Sequence, residues 1–281
     1  MSKPDVISVN GVIGSADQAR VCVLTPALLK SFGVYESVRV ERGVPFHLED
    51  HLARLAHSAA LIDLPLPASP AEIGAWAWSL LAHTRANRAV QRILVLGPME
   101  DSGPVCALWL EEAHLTTPAQ YRTGVAVITV QGARYLPEAK SLNTLVNFMA
   151  RRQASRQGVH EALLCQGDMV TEGSGSNFFV VRDGRLLTPS ADLVLSGVTR
   201  ALVLRLAREA GIPCAEERLY LADRTHWQEA FITSANRKVL PVTLLDGEPV
   251  GDGQVEPLTR RLMQLFAEHD REYLRRYAPG R

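Results

Sequence analysis

The sequence predicts an α+β fold in two domains. Strand-like segments and amphipathic helical patterns are interspersed along the whole chain, and a short stretch rich in threonine and proline separates two halves. At 281 residues, the chain is long enough to build two modest domains, each with a core of its own. We predict an N-terminal α+β domain over residues 1–117, an interdomain linker over 118–123 and a C-terminal domain over 124–281.

The elements of the first half follow from apolar periodicity. Alternation of apolar and polar residues favours strands. Between residues 48 and 62, apolar residues instead recur at steps of four, three, four and three, which is typical of an amphipathic helix. The predicted elements are strands over 6–11, 34–40, 92–96 and 105–111, and helices over 48–62 and 70–85.

The second half repeats this mixture of strands and helices. Gly158 and Gly211 stand where a C-cap glycine would end a helix. The predicted strands cover residues 124–130, 162–165, 177–181, 185–187 and 229–233, and the predicted helices cover 142–157, 199–210 and 257–277.

Composition excludes several function classes. Thirty basic residues balance thirty acidic ones, so net charge attracts neither nucleic acid nor an anionic membrane. The four cysteines form no CxxC pair and the histidines show no ligand spacing, so we predict no metal site. No apolar run reaches the length of a membrane span, and no signal-peptide pattern opens the chain. We therefore expect a small-molecule enzyme of the cytoplasm.

Lys140 is the first candidate for chemistry. It lies between Leu136-Pro137 and Leu142, beside a predicted apolar helix, where partial desolvation would favour the neutral, nucleophilic amine. A lysine is more often a solvated surface charge. The rest of the sequence decides between these two interpretations.

Glu172 is the second candidate. It ends a strand-like run and precedes a turn of glycines and serines, in Thr171-Glu172-Gly173-Ser174-Gly175-Ser176-Asn177. A lysine that holds an aldehyde and a carboxylate that holds a pyridinium are what a protein needs to use pyridoxal phosphate as an electron sink. On its own, this glutamate would more simply flank a turn.

Three further segments could bind a phosphate. The run Ser196-Gly197-Val198-Thr199 opens a predicted helix, whose N-terminus offers backbone amides and a hydroxyl. An ordinary threonine N-cap would look the same. Arg54 could add a charge-assisted hydrogen bond, and Thr233-Ser234-Ala235-Asn236 ends a strand with small polar residues.

At these residues the chain resembles the class IV aminotransferases, which are fold-type IV pyridoxal phosphate enzymes. This family includes D-amino acid aminotransferase, branched-chain aminotransferase and aminodeoxychorismate lyase. The resemblance covers nearly the whole length and is strongest to D-amino acid aminotransferase. The matching segments, in order, are Gly33-Val34-Tyr35-Glu36-Ser37-Val38-Arg39, Phe46 to Leu55, Lys140-Ser141-Leu142-Asn143, Val170 to Ser174 and Ser196 to Arg200.

The resemblance implies a role for each matched residue, with pyridoxal 5'-phosphate in the interdomain cleft. Lys140 would form the covalent imine and move the substrate's proton, and Glu172 would hold the pyridine nitrogen. Tyr35 and Arg39 would lie on the substrate side. The family also implies a homodimer with a shared active site. The implied phosphate ligands are Arg54, the helix start at Gly197, Val198 and Thr199, and the turn at Ser234 and Ala235.

One stretch departs from the family pattern. D-amino acid aminotransferases carry an arginine and a histidine that bind the substrate carboxylate, whereas the matching residues 94–100 here contain neither. Another cation would have to replace this clamp. The hypothesis is that Arg39, Arg92 or Arg134 does so.

Three functions follow from these observations. The leading prediction is an aminotransferase that moves an amino group between an amino acid, D- or branched-chain, and a 2-keto acid. A lyase of the aminodeoxychorismate type would use the same lysine and glutamate but release pyruvate. A non-catalytic ligand-binding homologue is a third alternative, although a binding protein needs no reactive amine.

Overall fold

A computed structural model describes residues 4–21, 23–98, 103–113 and 115–278. Its helices are α1 (Pro26–Leu29), α2 (Leu48–Ala60), α3 (Pro70–Thr84), α4 (Pro118–Thr123), α5 (Leu145–Arg156), α6 (Val198–Glu209) and α7 (Pro257–Arg276), with 3-10 turns at Ala16–Gln18, Ala191–Leu193 and Leu221–His226. Its strands are β1 (Val6–Val9), β2 (Val12–Ser15), β3 (Gly33–Glu41), β4 (Val44–Pro45), β5 (Arg88–Leu96), β6 (Val105–Glu111), β7 (Val125–Gln131), β8 (Glu161–Gln166), β9 (Met169–Gly173), β10 (Asn177–Arg182), β11 (Arg185–Thr188), β12 (Cys214–Glu216), β13 (Leu219–Tyr220), β14 (Glu229–Ser234), β15 (Lys238–Leu245) and β16 (Glu248–Pro249).

The chain divides into two compact units. Unit 1 comprises Met1–His114, Ala139–Asn143 and Arg271–Arg281, and unit 2 comprises Leu115–Glu138 and Thr144–Asp270. Each unit joins segments that are separate in the sequence. The division into domains at 1–117 and 124–281 stays a prediction. Residues 118–123, predicted as a linker, form helix α4. Thr117 and Gln120 cap its N-terminus with a reciprocal capping box.

Unit 1 is built on a six-stranded sheet in the order β2-β1-β6-β5-β3-β4, antiparallel at every pairing. Helices α2 and α3 bury their apolar sides against one face of it. Val38, Leu55 and Leu80 are fully buried members of this core. Because strand residues alternate between faces, Val34, Glu36 and Val38 share the side that meets α2.

Unit 2 contains a ten-stranded mixed sheet, in which β12-β11-β10-β14-β15-β7-β8-β9-β13 lie in that order and β16 pairs with β15. Its core includes Phe178, Trp227 and Ile232. Strand β15 was not predicted, because Pro241 interrupts its pattern and proline is unusual inside a sheet. Pro241 is tolerated here because the parallel ladder with β7 begins only at Val242.

The predicted helix over 142–157 begins too early. The structure starts α5 at Leu145, while the backbone of residues 140–142 is bonded to β3 in unit 1. Those sheet-type hydrogen bonds compete with helix formation. The sequence-based prediction of Lys140 beside the helix start is therefore corrected to a short extended segment.

Candidate active site

The segment that carries Lys140 is fixed by its backbone. The amide of Tyr35 donates to the carbonyl oxygen of Lys140 at 3.0 Å, and the amide of Leu142 donates to that of Gly33 at 2.9 Å. On the other side, the amide of Lys140 donates to Oγ of Ser58, a fully buried residue of α2, at 3.0 Å. The sheet and the helix therefore both set the origin of the lysine side chain.

The amine of Lys140 lies over an aromatic ring. Its Nζ is 4.7 Å from the ring centroid of Tyr35, on the side of β3 opposite α2. Arg39 is four residues further along the same side of β3, where its Cζ lies 4.3 Å above the ring of Phe46. The structure thus places Tyr35 with Lys140, and Arg39 against an aromatic neighbour.

Arg54 belongs to a buried ion cluster that the sequence analysis missed. Its Nε donates to Oε1 of Glu36 and its Nη2 donates to Oε2, both at 2.7 Å. His51 places Nδ1 2.8 Å from the same Oε2. Both partners are buried, because Glu36 is on the core side of β3 and His51 is on the same face of α2 as Arg54. Alternation along β3 could have revealed Glu36 as a carboxylate at a core position.

Burial and charge set the protonation of this cluster. Burial opposes ionisation of Glu36, but Arg54 and His51 outweigh it and hold the pKa of that carboxyl well below its usual range. Burial lowers the pKa of His51, and this effect exceeds the opposing attraction of Glu36. Glu36 is therefore ionised, and His51 is a neutral imidazole that donates from Nδ1.

Glu172 lies in unit 2, on β9, and is buried. Arg134 Nη1 donates to its Oε1 at 3.3 Å, and the amide of Leu195 donates to its Oε2 at 3.0 Å. The side chain of Arg134 is 7% exposed, so this is a desolvated ion pair. The hydrogen bonds from Arg134 and Leu195 fix the direction of the carboxylate.

The start of α6 has the features of an anion site. Its N-cap is Gly197, which has no side chain to occupy the first amides, those of Val198 and Thr199. A Cβ added at Gly197 would lie 2.0 Å from Oδ1 of Asn177, so a close backbone approach requires glycine there. Thr233, which pairs with Asn177 across the sheet, has a buried hydroxyl with no hydrogen-bond partner among the described residues.

A second missed carboxylate supports the loop after Glu172. Glu161 is buried and accepts from the Oγ atoms of Ser174 and Ser176 at 3.1 and 3.0 Å, and from the amide of Gly175 at 2.5 Å. Arg237 Nη1 donates to it at 2.8 Å. The serine and glycine pattern is thus explained by a buried acceptor.

The turn after β14 contains the remaining predicted phosphate ligands. Ser234 ends the strand, and its Oγ accepts from the amide of Arg237 at 3.3 Å. Ala235 follows it in the turn before β15.

The three arginines considered for the substrate carboxylate have different surroundings. Arg134 binds Glu172, and Arg39 covers Phe46. Arg92 donates to Glu111 at 2.8 Å and also to Oγ of Ser37, and its side chain is 30% exposed. In the departing stretch, residues 94–96 end strand β5, while Met99 and Glu100 lie outside the described residues.

Two features are absent from the described part of the chain. No helix there is long and apolar enough to cross a membrane. No group of three or more histidine, cysteine or carboxylate side chains there could hold a metal ion.

Comparison with known proteins identifies the family. The family model described as "Amino-transferase class IV" matches residues 33–245, more than half of the chain. The chain is a class IV aminotransferase. A D-alanine aminotransferase of Listeria monocytogenes serotype 4b (strain F2365) is 38% identical over 249 residues, covering 84% of this chain and 86% of the relative. One from Staphylococcus aureus (strain MSSA476) is 32% identical over 273 residues, covering 94% of this chain and 97% of the relative.

Solved structures agree with this assignment. The branched-chain amino acid aminotransferase of Escherichia coli superposes with a TM-score of 0.87 at 25% identity, covering 95% of this chain and 94% of that one. The T.th. branched-chain enzyme with pyridoxamine 5'-phosphate gives 0.88 at 26% identity with the same coverage. The predicted α+β fold of the fold-type IV enzymes and the predicted aminotransferase function are both confirmed. Class IV aminotransferases are enzymes that depend on pyridoxal phosphate. Membership of this family therefore makes the protein an enzyme.

Proposed function

We propose that this aminotransferase binds pyridoxal 5'-phosphate covalently through Lys140 and that Glu172 holds the ring nitrogen. The observation that carries the proposal is the backbone anchoring of Lys140 to both β3 and α2, since a lysine with only a surface role needs neither anchor. Tyr35 and Arg39 line the substrate side. The phosphate ligands are Arg54, the amides at Gly197, Val198 and Thr199, and the turn at Ser234 and Ala235.

The residues present fit this cofactor. A phosphate suits the start of α6, where Gly197 leaves the amides open and an added Cβ would force the Asn177 carboxamide to shift. The buried hydroxyl of Thr233, which has no hydrogen-bond partner in the part of the chain that the structure describes, is a further group that a ligand or an ordered water would satisfy. The buried carboxylate of Glu172, paired with Arg134, suits a protonated pyridine nitrogen.

Each residue then has a physical task. Bound pyridoxal phosphate supplies an electron sink for the α-carbon of an amino acid. Lys140 uses Nζ first to hold the cofactor aldehyde and then to carry the α-proton as a general base and acid. The Glu172 carboxylate holds a proton at the ring nitrogen, and Tyr35 packs against the lysine amine and limits its directions.

A D-amino acid is the donor we propose, with a 2-keto acid as acceptor. The support is that relatives over most of this chain's length are named D-alanine aminotransferases. A panel of D-alanine, other D-amino acids and L-branched-chain amino acids, scored by the spectral change of bound cofactor, tests this. Faster turnover with L-leucine than with any D-amino acid would contradict it, and keto-acid-independent pyruvate release from aminodeoxychorismate would favour the lyase.

The covalent lysine is tested by chemical trapping. The protein is incubated with pyridoxal phosphate, reduced with borohydride and digested, and the modified lysine is located by mass spectrometry. The sequence contains four lysines, Lys3, Lys30, Lys140 and Lys238, so the assignment is unambiguous. We expect the label on Lys140, its loss in Lys140→Ala and its retention in Lys30→Ala, whose exposed side chain makes it a matched control. Labelling of another lysine instead would refute the proposal.

We also propose a homodimer. Helix α5 exposes Leu145, Phe148 and Met149, which are 68%, 55% and 51% accessible, and spacing of three and four residues puts them on one side. Sedimentation is expected to give twice the chain mass, and Phe148→Glu to lower it toward the monomer. A wild-type monomer at working concentration would contradict this.

The cytoplasm remains the proposed location. Cys106, Cys165 and Cys214 are free thiols, and burial raises the pKa of both Cys106 and Cys165 to about 12. Separate unpaired cysteines suit a reducing compartment. Cell fractionation tests this, and recovery outside the cytoplasm would contradict it.

A further inference from the structure

Glu36 fixes the direction of Arg54. The two nitrogens on one edge of the guanidinium, Nε and Nη2, each donate at 2.7 Å to a different oxygen of the carboxylate. This paired geometry allows only one orientation of the guanidinium plane. Nη1 is the nitrogen of the fork that these two bonds do not use, so Glu36 determines where Nη1 points.

Glu36 is itself held by more than Arg54. His51 donates from Nδ1 to Oε2 at 2.8 Å, and the amide of Ser37 donates to the same oxygen at 3.2 Å. The carboxylate is 0% exposed and its oxygens have these donors in fixed places. It is therefore a rigid support for the arginine.

The same face of α2 supports the lysine segment. His51, Arg54 and Ser58 are spaced at three and four residues and so lie along one stripe of the helix. Ser58 anchors the Lys140 amide, while His51 and Arg54 meet Glu36. One stripe thus orients both groups of unit 1 that are proposed to bind the cofactor.

Stability alone does not explain this cluster. Burying ions removes them from water, and well-packed apolar residues of similar volume are often as stabilising as a buried ion pair, or more so. Glu36 also carries a negative charge close to a proposed phosphate ligand, which by itself would weaken anion binding. A role in orientation accounts for a charge that neither packing nor simple attraction favours.

We propose that Glu36 is a positioning residue for the cofactor phosphate, acting through Arg54, with His51 as its support. This inference rests on the proposed function, in which Arg54 binds that phosphate. Removing Glu36 distinguishes an effect of its charge from an effect on the orientation of Arg54, because the two change phosphate affinity in opposite directions. If its charge mattered most, affinity for the phosphate would rise, whereas if it orients Arg54, affinity for the phosphate falls.

The experiment compares pyridoxal 5'-phosphate with pyridoxal, which lacks the phosphate. Dissociation constants of both are measured on the full-length apoenzyme by absorbance titration. The dissociation constant of pyridoxal divided by that of pyridoxal phosphate is the preference ratio, which reports the phosphate contribution alone. In Glu36→Gln, we expect this ratio to fall by about ten- to a hundredfold, which corresponds to losing one hydrogen bond between charged groups. Pyridoxal affinity should change little, because the lysine segment is anchored elsewhere.

Two variants keep the test decisive. Glu41→Gln, on the same strand but with an exposed partner in Arg88, is the matched control and should leave the ratio unchanged. Should Glu36→Gln fail to fold, Glu36→Asp keeps the charge and withdraws the carboxylate by one methylene, and its ratio should lie below that of the wild type.

Each outcome has one meaning. A ratio that rises or stays constant in the folded Glu36 variants overturns the inference, as does an equal loss of affinity for both compounds, which a merely structural role would give. If the wild type binds both compounds equally, the phosphate role of Arg54 fails and this inference fails with it. If the wild type prefers pyridoxal phosphate while the variants keep that preference, the proposed function stands and only the role of Glu36 is refuted.

Discussion

Replacing Arg134 by methionine should destabilise unit 2 strongly, because it removes the cation paired with a buried carboxylate. Arg134 Nη1 and Glu172 Oε1 are 3.3 Å apart, and the two side chains are only 7% and 5% exposed. Methionine keeps much of the aliphatic volume. The Leu195 amide would still donate to Glu172, but it carries no full charge to offset that of the carboxylate.

The magnitude follows from burial more than from distance. At 3.3 Å and an effective dielectric constant of about 20, Coulomb attraction is about 5 kcal/mol. Breaking a buried pair by removing one partner typically costs about 3–5 kcal/mol. Arg88 and Glu41 are closer, at 2.7 Å, but the arginine side chain is 53% exposed. Removing that partner should cost at most about 1 kcal/mol.

Thermal melting of the apoenzyme tests this reasoning. For a chain of this size, about 1 kcal/mol corresponds to about 2–4 °C in Tm, so Arg134→Met should melt about 10 °C lower than the wild type. Arg88→Met is the matched control and should melt within about 3 °C of it. Equal small shifts in both variants would refute the argument that desolvation decides the strength of these pairs.

Three further predictions concern the site and its support. Gly197→Ala should weaken pyridoxal phosphate binding at least tenfold in an absorbance titration, because the added methyl would sit 2.0 Å from a carboxamide oxygen. The control Gly103→Ala has open space around it and should keep the wild-type affinity. Equal affinities of the two variants would contradict the proposed close approach. Ser58→Ala should lower the free energy of unfolding by about 1–3 kcal/mol and speed hydrogen exchange at the Lys140 amide, because this amide loses its buried acceptor. An unchanged exchange rate at that amide would argue against the anchor. Because the pKa of His51 is lowered in the folded protein from 6.5, its contribution to stability is complete above about pH 6.5 and is lost as pH falls below it. His51→Asn keeps a donor but does not titrate, so its Tm should fall less between pH 7.5 and 5.5 than the Tm of the wild type. Parallel decreases in Tm would contradict this.

The sequence predicts much of the fold where local pattern and packing agree. The helical stripe after residue 48 became α2, and strand β6 lies where it was predicted, over Val105–Glu111. Strand β15 was missed because proline breaks the local pattern, although the neighbouring ladders accept it. The extended segment at Lys140 was missed because its partners are more than 80 residues away in sequence.

The candidate site divides in the same way. Lys140 and Glu172 can be proposed from sequence, because each stands in a recognisable run of neighbours. Alternation along β3 puts Glu36 at a core position, but the sequence does not reveal the partner of Glu36, His51 or Glu161, because partners distant in sequence are known only from the fold. Their roles exist only once the chain is folded, when burial removes water and leaves a specific cation or hydroxyl as the partner.

The sequence by itself determined the family and the two-domain α+β class, and it supplied the proposal that Lys140 and Glu172 hold the cofactor, because all of these depend on short runs and on apolar periodicity. Only the tertiary structure decided that Lys140 lies in an extended segment on β3, that Arg54 is held by Glu36, and that Glu172 is paired with Arg134. The physical reason is that hydrogen bonds and ion pairs between distant residues form only when folding brings them together and excludes water.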